Sequence, residues 1–195
     1  MPSSVLYMSM SLDGFIAGPD DDVDHGLGVD GERLHDWLGD WDSDNPRRFD
    51  PPGPSGQVFD ESMATGAVVV GRRTFDLAGR WNGDHHGVPI FVPTSRAPSE
   101  PVSELVHYVT DGVESAMRQA KEAAGDANVL VHGANLAQSC LRAGVLDQLE
   151  IHLIPILLGQ GRRLFEHLGA DHIELELTRV LDAPGVTHLH YRVAS

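Results

Sequence analysis

Short apolar runs recur along the chain, and each is bounded by glycine, proline or polar residues. Runs of this length that are rich in valine, isoleucine and leucine are typical of β-strands buried in a sheet. Two later runs differ because apolar and polar residues alternate along them, as in a strand with one exposed face. The pattern predicts strands at residues 4–12, 67–71, 88–94, 105–110, 128–133, 146–159, 173–181 and 186–193.

Apolar residues three and four positions apart lie between several of these strands, and this spacing indicates amphipathic helices. It predicts a helix over 32–41, a helical turn over 58–65, and helices over 112–125 and 134–144. The proline-rich residues 42–57 predict an irregular insertion rather than a domain linker, because strands occur on both sides.

The order of these segments indicates the fold class. Strands that alternate with helices are typical of an α/β protein with a mainly parallel sheet. The last two strands flank the turn sequence Asp-Ala-Pro-Gly, which favours an antiparallel hairpin. A chain of 195 residues suits one domain. We therefore expect one α/β domain over 1–195, with helices flanking a mainly parallel sheet and an antiparallel hairpin at the C-terminus.

Composition narrows the range of partners. The formal net charge of −15 argues against binding to nucleic acid or to anionic membrane surfaces. No apolar run approaches the ~20 residues of a membrane span. Cys140 is the only cysteine, so an internal disulfide is excluded and a reducing, cytoplasmic setting is expected. Of the basic residues all but Lys121 are arginine, whose planar fork suits phosphate and carboxylate groups.

Three predicted strand-to-helix or strand-to-turn junctions carry polar groups suited to an anion. In an open α/β sheet the carboxyl ends of parallel strands meet at one edge, where ligands bind. Each junction alone has a simpler interpretation, namely solvated arginines, hydroxyls that cap a turn, or a glycine needed for packing. Their expected convergence favours a binding site. The candidates are Gly71, Arg72, Arg73 and Thr74, then Thr94, Ser95 and Arg96, and finally Gly133 and Ala134 ahead of a helix from about Asn135.

Other motifs are weaker. His188 and His190 share one strand face, but no cysteine or carboxylate at a suitable spacing completes a zinc set, so no metal site is predicted. Core or solvated histidines are the expectation. The glycines of 26–31 match the sequence motif of a dinucleotide-binding site but lack its structural context, since turn residues rather than a strand precede them. A hydrolase is disfavoured because no nucleophile motif is visible.

Three segments together resemble the dihydrofolate-reductase-like superfamily, in particular the reductase domain of the bacterial bifunctional riboflavin-biosynthesis deaminase-reductase. The segments are SLDGFIAG at 11–18, VVVGRRTFD at 68–76 and VHGANLAQSCLRAGVLDQLEIHLIPILLGQGRRLFE at 131–166. They occur in the family's order and at suitable spacing. The resemblance implies that fold, with NADPH as hydride donor and commonly a homodimer formed through the C-terminal strands.

The resemblance also implies roles for individual residues. The adenosine 2′-phosphate end of NADPH would meet Arg72, Arg73 and Thr74, with Thr94, Ser95 and Arg96 alongside. The pyrophosphate would lie in a cradle formed by Gly133, Ala134, Asn135 and Leu136, of which Ala134 replaces a glycine usual in the family. Ala17 and Gly18 would approach the nicotinamide, and Asp13 would shape the active-site loop.

The first predicted helix offers two candidates for a catalytic carboxylate. Dihydrofolate reductases proper carry one on the first helix, where this chain offers Asp36 or Asp40, although a solvated helix face is the alternative for both. Arg162 and Arg163 are candidates for a substrate phosphate. We expect an NADPH-dependent reductase of a small heterocyclic substrate, with riboflavin-type pyrimidine reduction as the nearest named reaction and true dihydrofolate reduction less expected. The alternative is a non-catalytic nucleotide-binding or ligand-sensing module with the same fold.

Overall fold

A computed structural model describes residues 2–42, 44, 47–100, 102–169 and 172–194. Within them an eight-stranded sheet has the strand order β5-β4-β3-β6-β1-β7-β10-β9. Its strands are β1 (Ser4–Ser11), β3 (Ala67–Val70), β4 (Ile90–Pro93), β5 (Val106–Val109), β6 (Val129–His132), β7 (Gln148–Ile154), β9 (Leu175–Ala183) and β10 (Val186–Val193).

The pairing confirms the predicted fold class. Strands β5, β4, β3, β6, β1 and β7 are parallel to one another, whereas β10 is antiparallel to both β7 and β9. The last predicted pair is therefore an antiparallel hairpin at one end of a parallel sheet. Strand β7 is shorter than the predicted 146–159, since it ends at Ile154, directly before Pro155.

A second, two-stranded sheet was not predicted. It pairs β2 (Phe15–Ala17) with β8 (Arg162–Arg163), and Phe15 lies opposite Arg163. Strands of three and two residues are too short for a periodic pattern to reveal. This small sheet joins the loop after β1 to the loop after β7.

The structure corrects the prediction for residues 42–57. Helix α1 (Gly53–Met63) includes residues 53–57, which the proline content had assigned to the irregular segment, and it absorbs most of the predicted turn at 58–65. Pro52 occupies the N-cap position and Pro54 lies in the first turn, where proline is favoured because no intrahelical hydrogen bond is lost. These prolines mark the start of a helix.

The predicted helix at 32–41 is a 3-10 helix, Gly31–Leu38, and Trp41 beyond it is 59% exposed. A second 3-10 segment spans Gly79–Gly83. The remaining helices are α2 (Arg72–Leu77), α3 (Val113–Ala124) and α4 (Ala134–Arg142).

The two faces of the β1–β7–β10 region differ in chemistry. One face carries Leu6, Leu149 and Ile151 into the main core, where they share a buried cluster with Ala137 and Cys140 of α4. Burial raises the pKa of Cys140 to about 12. The opposite face, covered by α1 and the first 3-10 helix, carries polar residues and is called the polar face below.

Candidate active site

The three predicted junctions lie side by side at one edge of the sheet, because β4, β3 and β6 are adjacent and parallel. The backbone N–H of Gly71 donates to the carbonyl of His132 at 3.0 Å, which fixes the β3 junction against the β6 junction. Thr74 packs directly on Gly133. We call this region the carboxyl edge.

Gly133 is required at its position by both conformation and space. Its φ of 103° lies in a region that residues with a side chain rarely adopt, and a Cβ there would lie 2.5 Å from Thr74 Oγ1. Within the part of the chain that the structure describes, no side chain caps the N-terminus of α4. The N–H groups of its first turn are therefore available to an anion. Ala134, the departure from the family pattern, is 2% exposed and packs in the core.

The neighbouring arginines of α2 point in different directions. Arg72 pairs with Asp76 at 2.7 Å, and its guanidinium lies 5.3 Å from the ring centroid of Tyr108 on β5. Arg73 lies on the other side, lines the cavity and binds Asp21 at 2.8 Å. The sequence predicted one arginine cluster, whereas the side chains serve two separate places.

Asp21 joins Arg73 to a third arginine. Arg162 donates from Nε to the same carboxylate at 3.2 Å. Burial alone would raise the pKa of Asp21, but hydrogen bonds from Arg73 and Arg162 outweigh it and lower that pKa. Arg163, the other candidate for a substrate phosphate, stacks over the Phe15 ring at 4.5 Å and donates to the Asp13 carbonyl. The cavity therefore receives Arg73 and Arg162 together.

Thr94, Ser95 and Arg96 reach the carboxyl edge but do not line the cavity. The Thr94 hydroxyl donates to the carbonyl of Arg96 at 3.2 Å, which closes a local turn. Ser95 and Arg96 are exposed, and so is Asn135 at the start of α4, whereas Leu136 is buried.

A cavity of about 680 Å³ opens in front of these junctions. Aromatic rings from separate elements form much of its wall, among them Tyr7, Trp37, Phe49 and Trp81. Ala17 lines it as expected. Gly18 does not, because the carbonyl of Val29 covers the place where a side chain would stand. The approach of Gly18 to the nicotinamide, which the resemblance implies, stays a prediction.

The structure removes Asp36 and Asp40 from the pocket. Both side chains are exposed, and the polar residues that this 3-10 helix directs into the cavity are Glu32 and His35. A 3-10 helix has three residues per turn, so the face expected from α-helical spacing shifts along the segment.

Asp13 also lies outside the cavity lining. Its carboxylate accepts hydrogen bonds from the Ser11 hydroxyl at 2.6 Å and from the Gly159 N–H at 2.7 Å. The Ser11 hydrogen bond is the main cause that lowers the pKa of Asp13 to about 2. These bonds join the loop after β1 to the loop after β7, in agreement with a loop-shaping role.

Among the described residues four histidines line the cavity, namely His25, His35, His85 and His132, and sequence reasoning assigned none of them to it. Nδ1 of His132 lies 3.0 Å from the carbonyl of Tyr7, which can only accept, so Nδ1 carries the proton. Burial lowers the pKa of His132 to about 4, and burial does the same for His35. Both rings are neutral near pH 7. The position of His132 at a strand end, directly before Gly133, was the available signal.

The polar face contains two rows of cross-strand neighbours. One row runs Tyr7–Glu150–His190–Arg179 and the next runs Ser9–His152–His188. In the second row the two imidazole Nδ1 atoms are 2.9 Å apart, and Trp37 Nε1 donates to Ser9 Oγ at 2.9 Å.

This arrangement corrects the interpretation of the histidines. His188 is indeed a core residue, but His190 has a carboxylate partner, because Glu150 lies directly opposite it. The prediction of no metal site rested on residue spacing along the chain, which did not include Glu150. Spacing along one strand does not reveal a partner that the neighbouring strand supplies.

A family profile identifies the class of protein. The profile of the RibD C-terminal domain matches residues 2–189, so the chain belongs to that family. Its fold is the dihydrofolate-reductase-like fold of the riboflavin-biosynthesis reductases in this family. Both agree with the resemblance seen in the sequence.

Individual relatives support the same fold. Protein YwjB of Bacillus subtilis, which is uncharacterised, is 24% identical over 96% of each chain. The crystal structure of a putative riboflavin biosynthesis protein from Shewanella sp. PV-4 has a TM-score of 0.72, with 21% identity over 99% of both chains. A Thermotoga maritima diaminohydroxyphosphoribosylaminopyrimidine deaminase/5-amino-6-(5-phosphoribosylamino)uracil reductase has a TM-score of 0.64 and 16% identity, over 99% of this chain and 57% of that one. Among the described residues no helix is long and apolar enough to cross a membrane.

Proposed function

We propose that this protein is a cytoplasmic NADPH-dependent reductase of a small heterocyclic substrate. The observation that carries the proposal is the carboxyl edge, where the Gly71 and Gly133 junctions meet in front of a cavity of about 680 Å³. Family membership supports the reaction class. The free, buried Cys140 suits a reducing compartment.

The residues present fit a dinucleotide. The uncapped start of α4 and the turn at Gly133 would hold the pyrophosphate, and Ala134 leaves that turn free because it packs into the core. When bound, NADPH would supply the hydride. The protein would orient the two reactants and exclude water.

Because Arg72 and Arg73 point in different directions, we infer that they bind different groups. Arg72 lies against Tyr108 of β5, away from the cavity, and would meet the 2′-phosphate that distinguishes NADPH from NADH. Arg73 faces the cavity with Arg162 and would meet an anionic group of the substrate. A ribose phosphate, as in the uracil derivative named for the Thermotoga relative, fits that pair, and the aromatic walls suit a flat ring.

Calorimetric titration with NADPH and with NADH tests the proposal. We expect NADPH to bind at least ~10-fold more tightly, a difference of ~1.4 kcal/mol. Turnover, followed as loss of cofactor absorbance with phosphoribosylaminopyrimidines as substrates, separates the enzyme from a nucleotide-binding module, which would bind without oxidising the cofactor. Failure to bind either nucleotide would refute the reductase.

Adjacent arginines provide a matched pair of variants. Arg72→Ala should lower the affinity for NADPH and leave that for NADH nearly unchanged. Arg73→Ala should preserve the preference for NADPH and weaken the substrate instead. The reverse result would assign the 2′-phosphate to Arg73.

We further propose that the protein forms a homodimer through the C-terminal hairpin. Strand β9 is at the end of the sheet order, and Leu175, Leu177 and Val180 on it are 42%, 53% and 50% exposed. Exposed apolar edges of this kind favour association. Light scattering should give a dimer for wild type and for the control Leu157→Glu, which alters an exposed leucine elsewhere, and a monomer for Leu177→Glu. A dimeric Leu177→Glu would contradict this interface.

A further inference from the structure

The first row of the polar face meets helix α1 at a cluster that the reductase chemistry does not use. Glu150 on β7 and His190 on β10 are cross-strand neighbours, and Glu61 reaches them from α1. None of the three lines the cavity in front of the carboxyl edge. The cluster is therefore a feature separate from the proposed cofactor and substrate sites.

The distances within the cluster suit a common ligand. One oxygen from each glutamate and one imidazole nitrogen all lie within 4.8 Å of one another. Metal–ligand bonds of ~2.1 Å place ligand atoms up to ~4 Å apart around one ion. Small rotations of the side chains would be sufficient to close the set.

Two buried polar atoms in the cluster lack a hydrogen-bond partner among the described residues. Oε1 of Glu150 and Nε2 of His190 are 3.4 Å apart, and neither makes a hydrogen bond to any residue that the structure describes. Glu150 is 5% exposed, so water does not solvate it freely. Leaving such groups unpaired is costly, and a cation between them would satisfy both.

The charges in the cluster also favour a cation. Arg179 donates from Nη1 to both oxygens of Glu61 at 2.9 Å, which accounts for one of the two carboxylates. No basic side chain within hydrogen-bond distance of Glu150 is present among the described residues, apart from the titratable His190. The charge of Arg179 also acts on Glu150, but burial and the neighbouring Glu61 carboxylate outweigh it, so a further cation would stabilise the ionised Glu150.

We propose that Glu61, Glu150 and His190 form a binding site for a divalent cation of the Zn²⁺ class that joins helix α1 to strands β7 and β10. Two carboxylates and one imidazole suit a borderline ion better than Ca²⁺ or Mg²⁺, which prefer oxygen ligands alone. Three protein ligands leave a position for water. The ion stabilises the packing of α1 on the sheet, and Arg179 keeps Glu61 oriented.

Calorimetric titration of the chelator-stripped full chain with ZnCl₂ tests the site. We expect one tight site in wild type, whose affinity falls at least ~10-fold in Glu61→Gln and in His190→Gln, the lower end of what loss of even an outer-shell partner costs. Glu176→Gln is the matched control, because Glu176 is an exposed glutamate paired with an arginine, as Glu61 is. It should bind zinc as wild type does.

A second readout is thermal unfolding. Zinc should raise the Tm of wild type and of Glu176→Gln, and it should raise that of Glu61→Gln much less, whereas MgCl₂ should leave all three unchanged. Glu61 is partly exposed on a helix, so Glu61→Gln is expected to fold, and circular dichroism checks this. The proposal is overturned if wild type binds no zinc, or if Glu61→Gln binds it as tightly as wild type, since surface histidines would then be responsible.

Discussion

At the carboxyl edge the backbone offers groups to a ligand, whereas on the polar face side chains occupy the interior. The edge depends on turn geometry: Gly133 adopts a φ of 103°, and α4 begins uncapped behind it. The face depends on cross-strand register, which places Glu150 opposite His190 and His152 opposite His188. One region leaves the backbone N–H groups at the start of α4 uncapped among the described residues. The other buries titratable groups, and its stability therefore depends on their protonation.

The largest expected effect concerns acid stability. Burial lowers the pKa of His35, His132 and His188 to about 4, below the ordinary 6.5. The unfolded chain binds these protons first as pH falls, so the free energy of unfolding should decrease from pH 6.5 towards pH 4. Each such histidine contributes ~1.4 kcal/mol per pH unit in that window.

Urea denaturation at a series of pH values measures this slope. His188→Gln should reduce the slope by the contribution of about one bound proton. The exposed control His172→Gln should leave the slope unchanged. A free energy of unfolding that stays constant through the window would show that these histidines are not buried in neutral form.

The second-largest expected effect is on stability and concerns Gly133 at the carboxyl edge. Gly133→Ala should cost about 3 kcal/mol, because it combines an unfavourable φ with a contact of 2.5 Å to Thr74 Oγ1. Gly87→Ala is the control, since its φ is 80° and, within the described residues, nothing lies within 4 Å of the added Cβ. It should cost ~1 kcal/mol. Equal losses in the two variants would mean that Thr74 does not restrict the junction.

A double variant sharpens that comparison. Thr74→Ala combined with Gly133→Ala should recover the steric part of the loss and leave only the backbone part. Denaturant midpoints of the four proteins give the coupling between the two positions.

A smaller effect concerns the loop that supports the edge. The pKa of Asp13 is lowered to about 2, so its stabilising contribution is complete above pH 3.8 and is lost as pH falls through 2. Asp13→Asn should lower the Tm at neutral pH, and the difference from wild type should shrink below pH 3.8. Asp40→Asn, an exposed carboxylate outside these hydrogen bonds, should show no such change. An Asp13→Asn difference that is the same at all pH values would exclude this role.

The smallest expected effect concerns Cys140, which packs on the apolar face of the sheet. Cys140 is fully buried and burial raises its pKa to about 12, so a thiol reagent should not modify the folded protein at pH 8. Reaction should become complete in denaturant. Rapid modification of the native protein would mean that α4 opens locally.

The predictable part of the protein is the part encoded in contiguous residues. The apolar run before Gly71 indicated a buried strand, and Gly133 ahead of a helix indicated an anion-binding turn. Parallel topology then placed these junctions together. Arg73 could be assigned to the site from sequence, but its separation from Arg72 depends on the helical turn that directs the two side chains apart.

Other features depend on contacts between distant segments. A 3-10 rather than an α-helix at Gly31–Leu38 directs Glu32 and His35 into the cavity instead of Asp36. The salt bridges of Asp21 join a loop to residues far along the chain. Neither follows from local spacing, because both depend on packing against other elements.

The sequence by itself determined the α/β class, the antiparallel hairpin and the backbone turns of the carboxyl edge, since strand periodicity, glycine and proline act over a few residues. Only the tertiary structure decided which side chains share the interior. Strand register brings Glu150 to His190, and α1 adds Glu61 from a segment whose prolines suggested irregular structure. The physical reason is that side-chain clusters form across strands and helices, where distance in space is independent of distance along the chain.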